Sequence, residues 1–271
     1  MADPIIPITK PAATTVAAAP KSNDFPTEVI DLPSQGHFYP ATSPLASGRV
    51  EIKYMTAREE DILTSQNLIK KGIVLDELLK ALIVTPGVQL DDVLICDKNA
   101  IFVAARRLAY GDKYDGKSAC PKCGEENEVK IDLNEVKPKE FNFAAHPKGE
   151  NRFSFELPIA KKVIVYKLLT HKDEQAIDAE LKGYQKVAKS SSPEMTTRLK
   201  YMIVSVDGDE TKSVIFKAVD NMLAKDSMAL RKHVRETTPD LDMTFNFTCA
   251  SCSHNERMAL PLGVDFFWPS T

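Results

Sequence analysis

The chain has 271 residues, of which 43% are hydrophobic and 27% are charged, and its formal net charge at pH 7 is −3. A chain of this length and apolar content can build one or two sizeable cores. The slightly acidic balance excludes a general basic field that would attract nucleic acid or an anionic membrane. No apolar run approaches the roughly 20 residues that span a bilayer.

The N-terminal residues carry neither a basic stretch nor the leucine-rich segment of a signal peptide. We therefore expect a protein of the reducing cytosol, where clustered cysteines are metal ligands or redox groups more often than disulfides. Residues 1–27 are rich in Pro, Ala and Thr. They predict a disordered N-terminal arm, because so few apolar side chains cannot offset the entropy lost on ordering.

Residues 28–119 predict a strand followed by a helical module. The segment 32–40 sets two aromatic residues among turn formers, and we expect it to be ordered but irregular, packing on the chain itself or on a partner. Residues 50–54 alternate like a half-buried strand. Cys96 lies in an apolar run and is expected to be a buried core thiol.

Three helices are predicted within this module. The first begins after Thr56, whose hydroxyl forms a capping box with the carboxylate of Glu59, and it ends at Gly72. The second covers residues 74–84, before a Pro-Gly turn. The third covers residues 97–111, with its first residue as the N-cap.

Residues 135–242 predict an inserted α/β subdomain. The subdomain is expected to begin with a hairpin of residues 153–157 and 162–169, followed by a helix after the capping pair Thr170 and Asp173. The next helix has Ser192 as its N-cap and Pro193 as its first residue, and it continues to Ile203. Two short helices are expected near 213–223 and 226–236.

Two Cys-x-x-Cys pairs, Cys120/Cys123 and Cys249/Cys252, are the most informative motif of the chain. Four thiolates in two such pairs match the ligand set of a closed, tetrahedral Zn²⁺ site. A site saturated by four thiolates leaves no open position for water or substrate, so we expect the metal to be structural.

An alternating strand is predicted after the first cysteine pair, at residues 129–133, and alternating strands are predicted on both sides of the second pair, which indicates two matched half-sites. We predict a zinc-ribbon-like β clasp built from residues 120–134 and 243–271. One metal shared by both pairs would close the insertion between them. The predicted fold class is therefore α+β, a helical N-terminal module plus a clasp that holds a mixed α/β insertion.

Three other interpretations of the cysteines remain, and the first is that the thiols are independent and bind no common metal. A thioredoxin-type redox role is disfavoured, because neither pair opens a helix after a strand. His254 is an alternative metal ligand, but four sulfurs suffice and a surface histidine is favoured.

Catalytic motifs are absent from the sequence. It contains no phosphate-binding Gly-x-x-x-x-Gly-Lys loop, no Gly-x-Ser-x-Gly elbow and no His-Glu-x-x-His pair. The other histidines are scattered, and none neighbours an obvious nucleophile. We expect a protein that is not an enzyme and has no small-molecule substrate.

A zinc-ribbon protein that binds nucleic acid is the alternative function. The charge near the cysteines argues against it, because acidic residues outnumber basic ones around the first pair. Around the second pair the only basic side chain is Arg257, beside Glu256. We expect protein partners instead.

Several segments together resemble the baseplate hub proteins of T4-like contractile-tailed bacteriophages. They are Leu-Pro-Ser-x-Gly-x-Phe-Tyr-Pro at 32–40, the block at 48–63 that begins Gly-Arg-Val-Glu-Ile-Lys-Tyr-Met-Thr, the Cys-Pro-x-Cys-Gly turn, and the terminal Phe266-Phe267-Trp268-Pro269. The resemblance covers most of the chain from about residue 30.

The resemblance implies a non-enzymatic component of the tail baseplate, either a virion part or an assembly factor, that is assembled in the host cytoplasm. Its implied partners are other hub and wedge proteins, with no membrane. We further expect the N-terminal arm, the 32–40 segment and the terminal 266–269 segment to dock on neighbouring subunits.

Overall fold

The computed structural model describes residues 25–187, 193–260 and 262–267. Within these ranges the chain is a mixed α/β fold of eight helices and several small sheets. The helices are α1 (Ala57–Thr64), α2 (Gln66–Lys71), α3 (Val74–Leu82), α4 (Ile95–Tyr110), α5 (His171–Val187), α6 (Glu194–Met202), α7 (Lys212–Asp220) and α8 (Ala224–Glu236).

All strand pairs in the described sheets are antiparallel. Strands β1 with β2, β3 with β4, and β8 with β9 form two-stranded sheets, and β5, β6 and β7 form one three-stranded sheet in that order. The strands are β1 (Thr27–Asp31), β2 (Arg49–Lys53), β3 (Lys113–Ala119), β4 (Glu126–Asp132), β5 (Phe153–Glu156), β6 (Val163–Tyr166), β7 (Ile203–Val206), β8 (Thr244–Thr248) and β9 (Asn255–Ala259).

The predicted N-terminal arm is described only at its end. Residues 1–24 lie outside the described residues. Thr27, which the sequence assigns to the arm, begins β1 and pairs with Lys53 of β2.

The segment 32–40 packs inside the chain. Phe38 and Tyr39 are buried, and the Tyr39 hydroxyl donates to Asp97 Oδ2 at 2.7 Å. Ser34 donates both its backbone N–H and its hydroxyl to the same carboxylate. The expectation that this segment docks on a neighbour is therefore wrong for these buried side chains. The hydrogen bonds to Asp97 attach the segment to α4.

Helix α4 begins at Ile95, with Leu94 as its N-cap, so the prediction of Asp97 as N-cap is wrong. Asp97 lies inside the first turn and is fully buried. Its carboxylate accepts hydrogen bonds from residues distant in sequence rather than from its own helix terminus. These tertiary hydrogen bonds explain why Asp97 lies inside the helix and not at its N-cap. Cys96 is buried, as expected.

The helix predicted after Thr56 is two helices, α1 and α2, because Ser65 leaves the helical conformation at ψ 102°. The capping box is confirmed, since the Thr56 N–H donates to Glu59 Oε2 at 2.9 Å. Gly72 ends α2 at a φ of 71°, as predicted.

Three strands, β1, β3 and β7, were missed because sequence periodicity does not reveal them. Lys113–Ala119 is polar and contains Gly116, yet β3 pairs with β4 along its whole length. The run from Ile203 was assigned to a helix, but α6 ends at Met202 and the chain continues directly as β7. Short apolar runs suit either structure, and pairing with β6 decides this one.

The remaining predictions for residues 135–242 agree with the structure in kind. The hairpin is β5–β6, Thr170 and Asp173 cap α5, and α7 and α8 correspond to the two short helices. Pro193 is the N-cap of α6 rather than its first residue, and Ser192 lies outside the described residues.

One continuous cluster of buried apolar side chains spans the predicted modules. It includes Leu79 and Ile101 from the helical module together with Tyr166 and Ile203 from the predicted insertion. The division into a module and an inserted subdomain therefore stays a prediction about organisation, while the apolar interior is shared.

Phe266 and Phe267 are each 1% exposed, which confirms that the chain buries its apolar C-terminal segment. The Arg106 side chain donates to the backbone oxygen of Phe266 at 2.9 Å. These two rings are thus not available to a neighbouring subunit, contrary to the docking expectation. Trp268 and Pro269 lie outside the described residues.

Among the helices in the described ranges, none combines the length and the apolar character that crossing a membrane requires.

Candidate metal centre

Two hairpin turns bring the predicted ligands together. The β3–β4 turn carries Cys120 and Cys123, and the β8–β9 turn carries Cys249 and Cys252. All four Sγ atoms lie within 4.8 Å of one another. The short contacts cross between the hairpins, with Cys120 to Cys252 at 3.7 Å and Cys123 to Cys249 at 3.6 Å.

These spacings fit a tetrahedral metal site. With metal–sulfur bonds of about 2.3 Å, the edges of a regular S₄ tetrahedron are about 3.8 Å long. Disulfide sulfurs lie about 2.05 Å apart, far closer than any of these pairs. The arrangement is compatible with one metal ion shared by both hairpins.

The two turns repeat each other bond for bond. The Cys120 N–H donates to the Glu125 carbonyl oxygen at 2.8 Å, and the Gly124 N–H donates to the Cys120 oxygen at 2.8 Å. In the second turn, the Cys249 N–H donates to the His254 oxygen at 2.8 Å. The Ser253 N–H then donates to the Cys249 oxygen at 3.0 Å, so both sulfurs of each pair face one point.

The residue after each second cysteine has a left-handed backbone. Gly124 has a φ of 77° and Ser253 a φ of 56°. Glycine adopts this region freely, whereas a residue with a Cβ is strained there. Ser253 is therefore less suited to its position than Gly124 is to the equivalent one.

The cluster has a buried side and an open side. Cys120 and Cys249 are buried against Phe247, in a small apolar cluster separate from the main core, whereas Cys123 is exposed. The apolar wall limits water access to two of the sulfurs, and the exposed Cys123 is the sulfur that reagents reach first.

Asn127 is a part of this centre that sequence reasoning missed. It lies in β4, is 8% exposed, and its Nδ2 atom donates to Cys249 Sγ at 3.6 Å and to the Glu125 oxygen at 2.9 Å. Its Oδ1 atom accepts from the Ala250 N–H at 2.8 Å. A buried polar residue four positions after Cys123 was the available signal, but only the fold shows that it reaches the other hairpin.

Backbone N–H groups lower the pKa of both Cys249 and Cys123, whereas the neighbouring sulfurs lower the pKa of Cys249 and raise that of Cys123. The amide of Cys252, followed by that of Ser251, lowers the pKa of Cys249 to about 6. For Cys123, the Glu125 amide lowers the pKa, but hydrogen bonds with the other cysteines outweigh it and raise the pKa to about 12. The cluster therefore shares protons, which a bound cation would displace.

His254 does not belong to the cluster. Its Nε2 atom lies 3.1 Å from Glu256 Oε2, as expected for a surface histidine. A thioredoxin-type arrangement is also absent from the described residues, since both pairs lie in hairpin turns rather than at a helix N-terminus.

Two of the basic side chains near the cluster are engaged in ion pairs, whereas Lys122, between Cys120 and Cys123, is exposed. Lys117 lies 3.5 Å from Glu126, and Arg257 lies 2.8 Å from Asp242. Phosphate binding would have to compete with these carboxylates.

Comparison with known proteins adds a family to this geometry. The sequence matches the family model described as T4 bacteriophage base plate protein over residues 27–268. Searches of curated proteins and of solved structures give no significant match. The family match covers nearly the whole chain and confirms the resemblance seen in the sequence. The chain belongs to the T4 bacteriophage base plate protein family.

Proposed function

We propose that this chain is a non-enzymatic structural or assembly component of the hub region of a contractile phage tail baseplate, where it binds other tail proteins. The family match over residues 27–268 is the observation that carries the proposal. The site geometry supports the proposal, because the four-cysteine cluster has the form of a structural metal site and not of a catalytic centre.

The four cysteines are proposed to bind one structural Zn²⁺. Their spacing fits a thiolate tetrahedron, and a saturated ligand set leaves no coordination position for catalysis. The ion would join the β3–β4 hairpin to the β8–β9 hairpin and close the chain between Cys123 and Cys249. Because Cys120, Cys249 and Phe247 form only a small buried cluster, metal binding would supply much of the local stability.

Nucleic-acid binding is not supported by any feature of this centre. The nearby Lys117 and Arg257 are each paired with a carboxylate, and the net charge of the chain is −3. Protein partners are therefore the better proposal.

Fractionation of infected cells tests the tail role. We expect the chain in purified tails or in baseplate intermediates, and removal of the protein should stop tails from assembling. Normal tail assembly without the chain would contradict the proposal.

Metal analysis tests the zinc role independently. Protein purified without chelators should contain one Zn²⁺ per chain, and Cys123→Ser should lose most of it. Cys96→Ser is the matched control, because Cys96 is buried in the main core and should leave zinc content unchanged. Zinc-free wild-type protein, or equal loss in both variants, would contradict the site.

A further inference from the structure

An open cavity of about 530 Å³ lies between the β5–β6 hairpin and helix α7. Leu157 and Ile164 line it from the hairpin side, Val214 lines it from α7, and Leu223 lines it from the α7–α8 connection. We name this cavity, with these four apolar residues as its walls, the hairpin–α7 groove.

Exposed apolar side chains concentrate around the hairpin–α7 groove. Of the ten large apolar side chains exposed in the described ranges, six belong to the β5–β6 hairpin, α7, α8 or the α7–α8 connection. Leu223 is 51% exposed and Val214 is 37% exposed, although both line the groove. Apolar surface gathered beside a concave site is the usual mark of a protein-binding surface.

The hairpin–α7 groove is held in shape by a buried carboxylate. Asp226, in the first turn of α8, is fully buried and accepts hydrogen bonds from the backbone N–H of Ile159 at 2.7 Å and of Ala160 at 3.0 Å. These bonds tie the β5–β6 turn to the start of α8. A partner would thus meet a preformed groove, which lowers the entropy cost of binding.

The charge of the groove indicates which kind of partner it binds. Lys162 and Lys217, one from each side, line the groove, and neither makes an ion pair within the described part of the chain. The two lysines outnumber Asp226, the one acidic residue among the described groove-lining residues. The groove is therefore locally cationic on a chain whose net charge is −3.

We propose that the hairpin–α7 groove binds an amphipathic helical segment of another tail protein, one with acidic residues beside large apolar side chains. Such a segment would place its apolar face against Val214 and Leu223 and its carboxylates near the two lysines. A second copy of this chain is disfavoured, because a symmetric contact would set Lys162 and Lys217 against their own counterparts. The proposal rests on the proposed tail function.

Site-specific photo-crosslinking tests the groove in cells that assemble complete tails. The full-length chain carries Leu223→p-benzoylphenylalanine or, as control, Tyr184→p-benzoylphenylalanine, since Tyr184 is exposed on α5 away from the groove. We expect an adduct at Leu223 with an acidic amphipathic segment of another tail protein, and little adduct at Tyr184.

Several results would overturn the groove proposal while leaving the tail function intact. They are equal adducts at both positions, an adduct with a second copy or with nucleic acid, or no adduct in tails that contain the chain. Absence of the chain from both tails and assembly intermediates would instead contradict the tail function.

Charge reversal gives a second measurement. The double variant Lys162→Glu, Lys217→Glu should lower the Leu223 adduct yield several-fold, because it places carboxylates against an acidic partner. The control pair Lys130→Glu, Lys172→Glu reverses two exposed lysines outside the groove and should leave the yield unchanged. Matching thermal melting curves would show that both variants are folded, and an unchanged yield in the groove variant would refute the charge argument.

Discussion

The Nδ2 atom of Asn127 lies 3.6 Å from the Sγ atom of Cys249, so a side chain of the first cysteine hairpin donates to a sulfur of the second. The same side chain accepts from the Ala250 N–H at 2.8 Å. Asn127 thus connects the hairpins without being a metal ligand, and it orients Cys249 towards the sulfurs of the other pair.

Asn127→Ala should weaken metal binding by roughly 10- to 100-fold, the usual effect of removing a hydrogen-bond partner behind a ligand. The variant loses the N–H···S bond and leaves the Ala250 N–H without its acceptor. Competition with a chromophoric chelator measures the affinity. Asn246→Ala, on the exposed side of β8, is the control and should bind metal like the wild type. Equal metal affinities of the two variants would show that Asn127 does not support metal binding.

Ser253→Gly should stabilise the metal-loaded protein by about 0.5–1 kcal/mol. Relief of a left-handed non-glycine residue is worth roughly 1–2 kcal/mol, and the added freedom of glycine in the unfolded chain offsets part of it, about 0.5–1 kcal/mol.

The reciprocal change, Gly124→Ser, should destabilise by about 0.5–1 kcal/mol, because φ there is 77° and the freedom that glycine loses on folding offsets part of the strain. A Cβ at Gly124 would meet no atom within 4 Å, so the cost is conformational rather than a clash. Denaturant unfolding of both variants measures the difference. Changes of the same sign would contradict the equivalence of the two turns.

Asp97 should give a measurable pH dependence of stability. Burial is the main cause that raises the pKa of this carboxyl in the folded protein. The folded state then holds the proton more tightly than the unfolded state, whose pKa is about 3.9. The favourable contribution is full at low pH and is lost as pH rises through the folded pKa.

The destabilisation caused by Asp97→Asn should therefore shrink as pH rises from about 4.5 to about 7.5. Urea unfolding of variant and wild type at each pH measures it, and the comparison cancels any loss of metal common to both proteins. Asp240, whose own pKa burial raises, remains in both proteins, and its charge adds to the raised pKa of Asp97 in the wild type. A difference that grows with pH would show that Asp97 is stabilised as the anion.

Phe267→Ala should destabilise the fold by about 3–5 kcal/mol, because it removes a buried ring from the core. The ring packs on Phe102 with centroids 5.8 Å apart. Met228→Ala, at a 59% exposed position, should change stability by less than about 0.5 kcal/mol. Thermal unfolding of the two variants measures these changes in stability. A stable Phe267→Ala protein with a defect only in tail assembly would restore the docking interpretation of the C-terminal segment.

Local signals predicted much of the fold. The capping pairs Thr56/Glu59 and Thr170/Asp173 located the starts of α1 and α5, because a cap depends on residues within one turn. Strand β3 was not predicted, because a polar strand is specified by pairing with its neighbour β4 rather than by its own sequence pattern. The burial of Asp97 also depends on a segment about 60 residues away, which no local pattern reveals.

By itself, the sequence determined the cysteine ligand types, their spacing within each pair and the family of the chain. Those properties reside in covalent order and in short turns. Only the tertiary structure decided that the two pairs meet, that Asn127 bridges them, and that the aromatic segments are core rather than docking surface. Such contacts join residues far apart in sequence, and their free energy comes from burial and hydrogen bonding that exist only once the chain has folded.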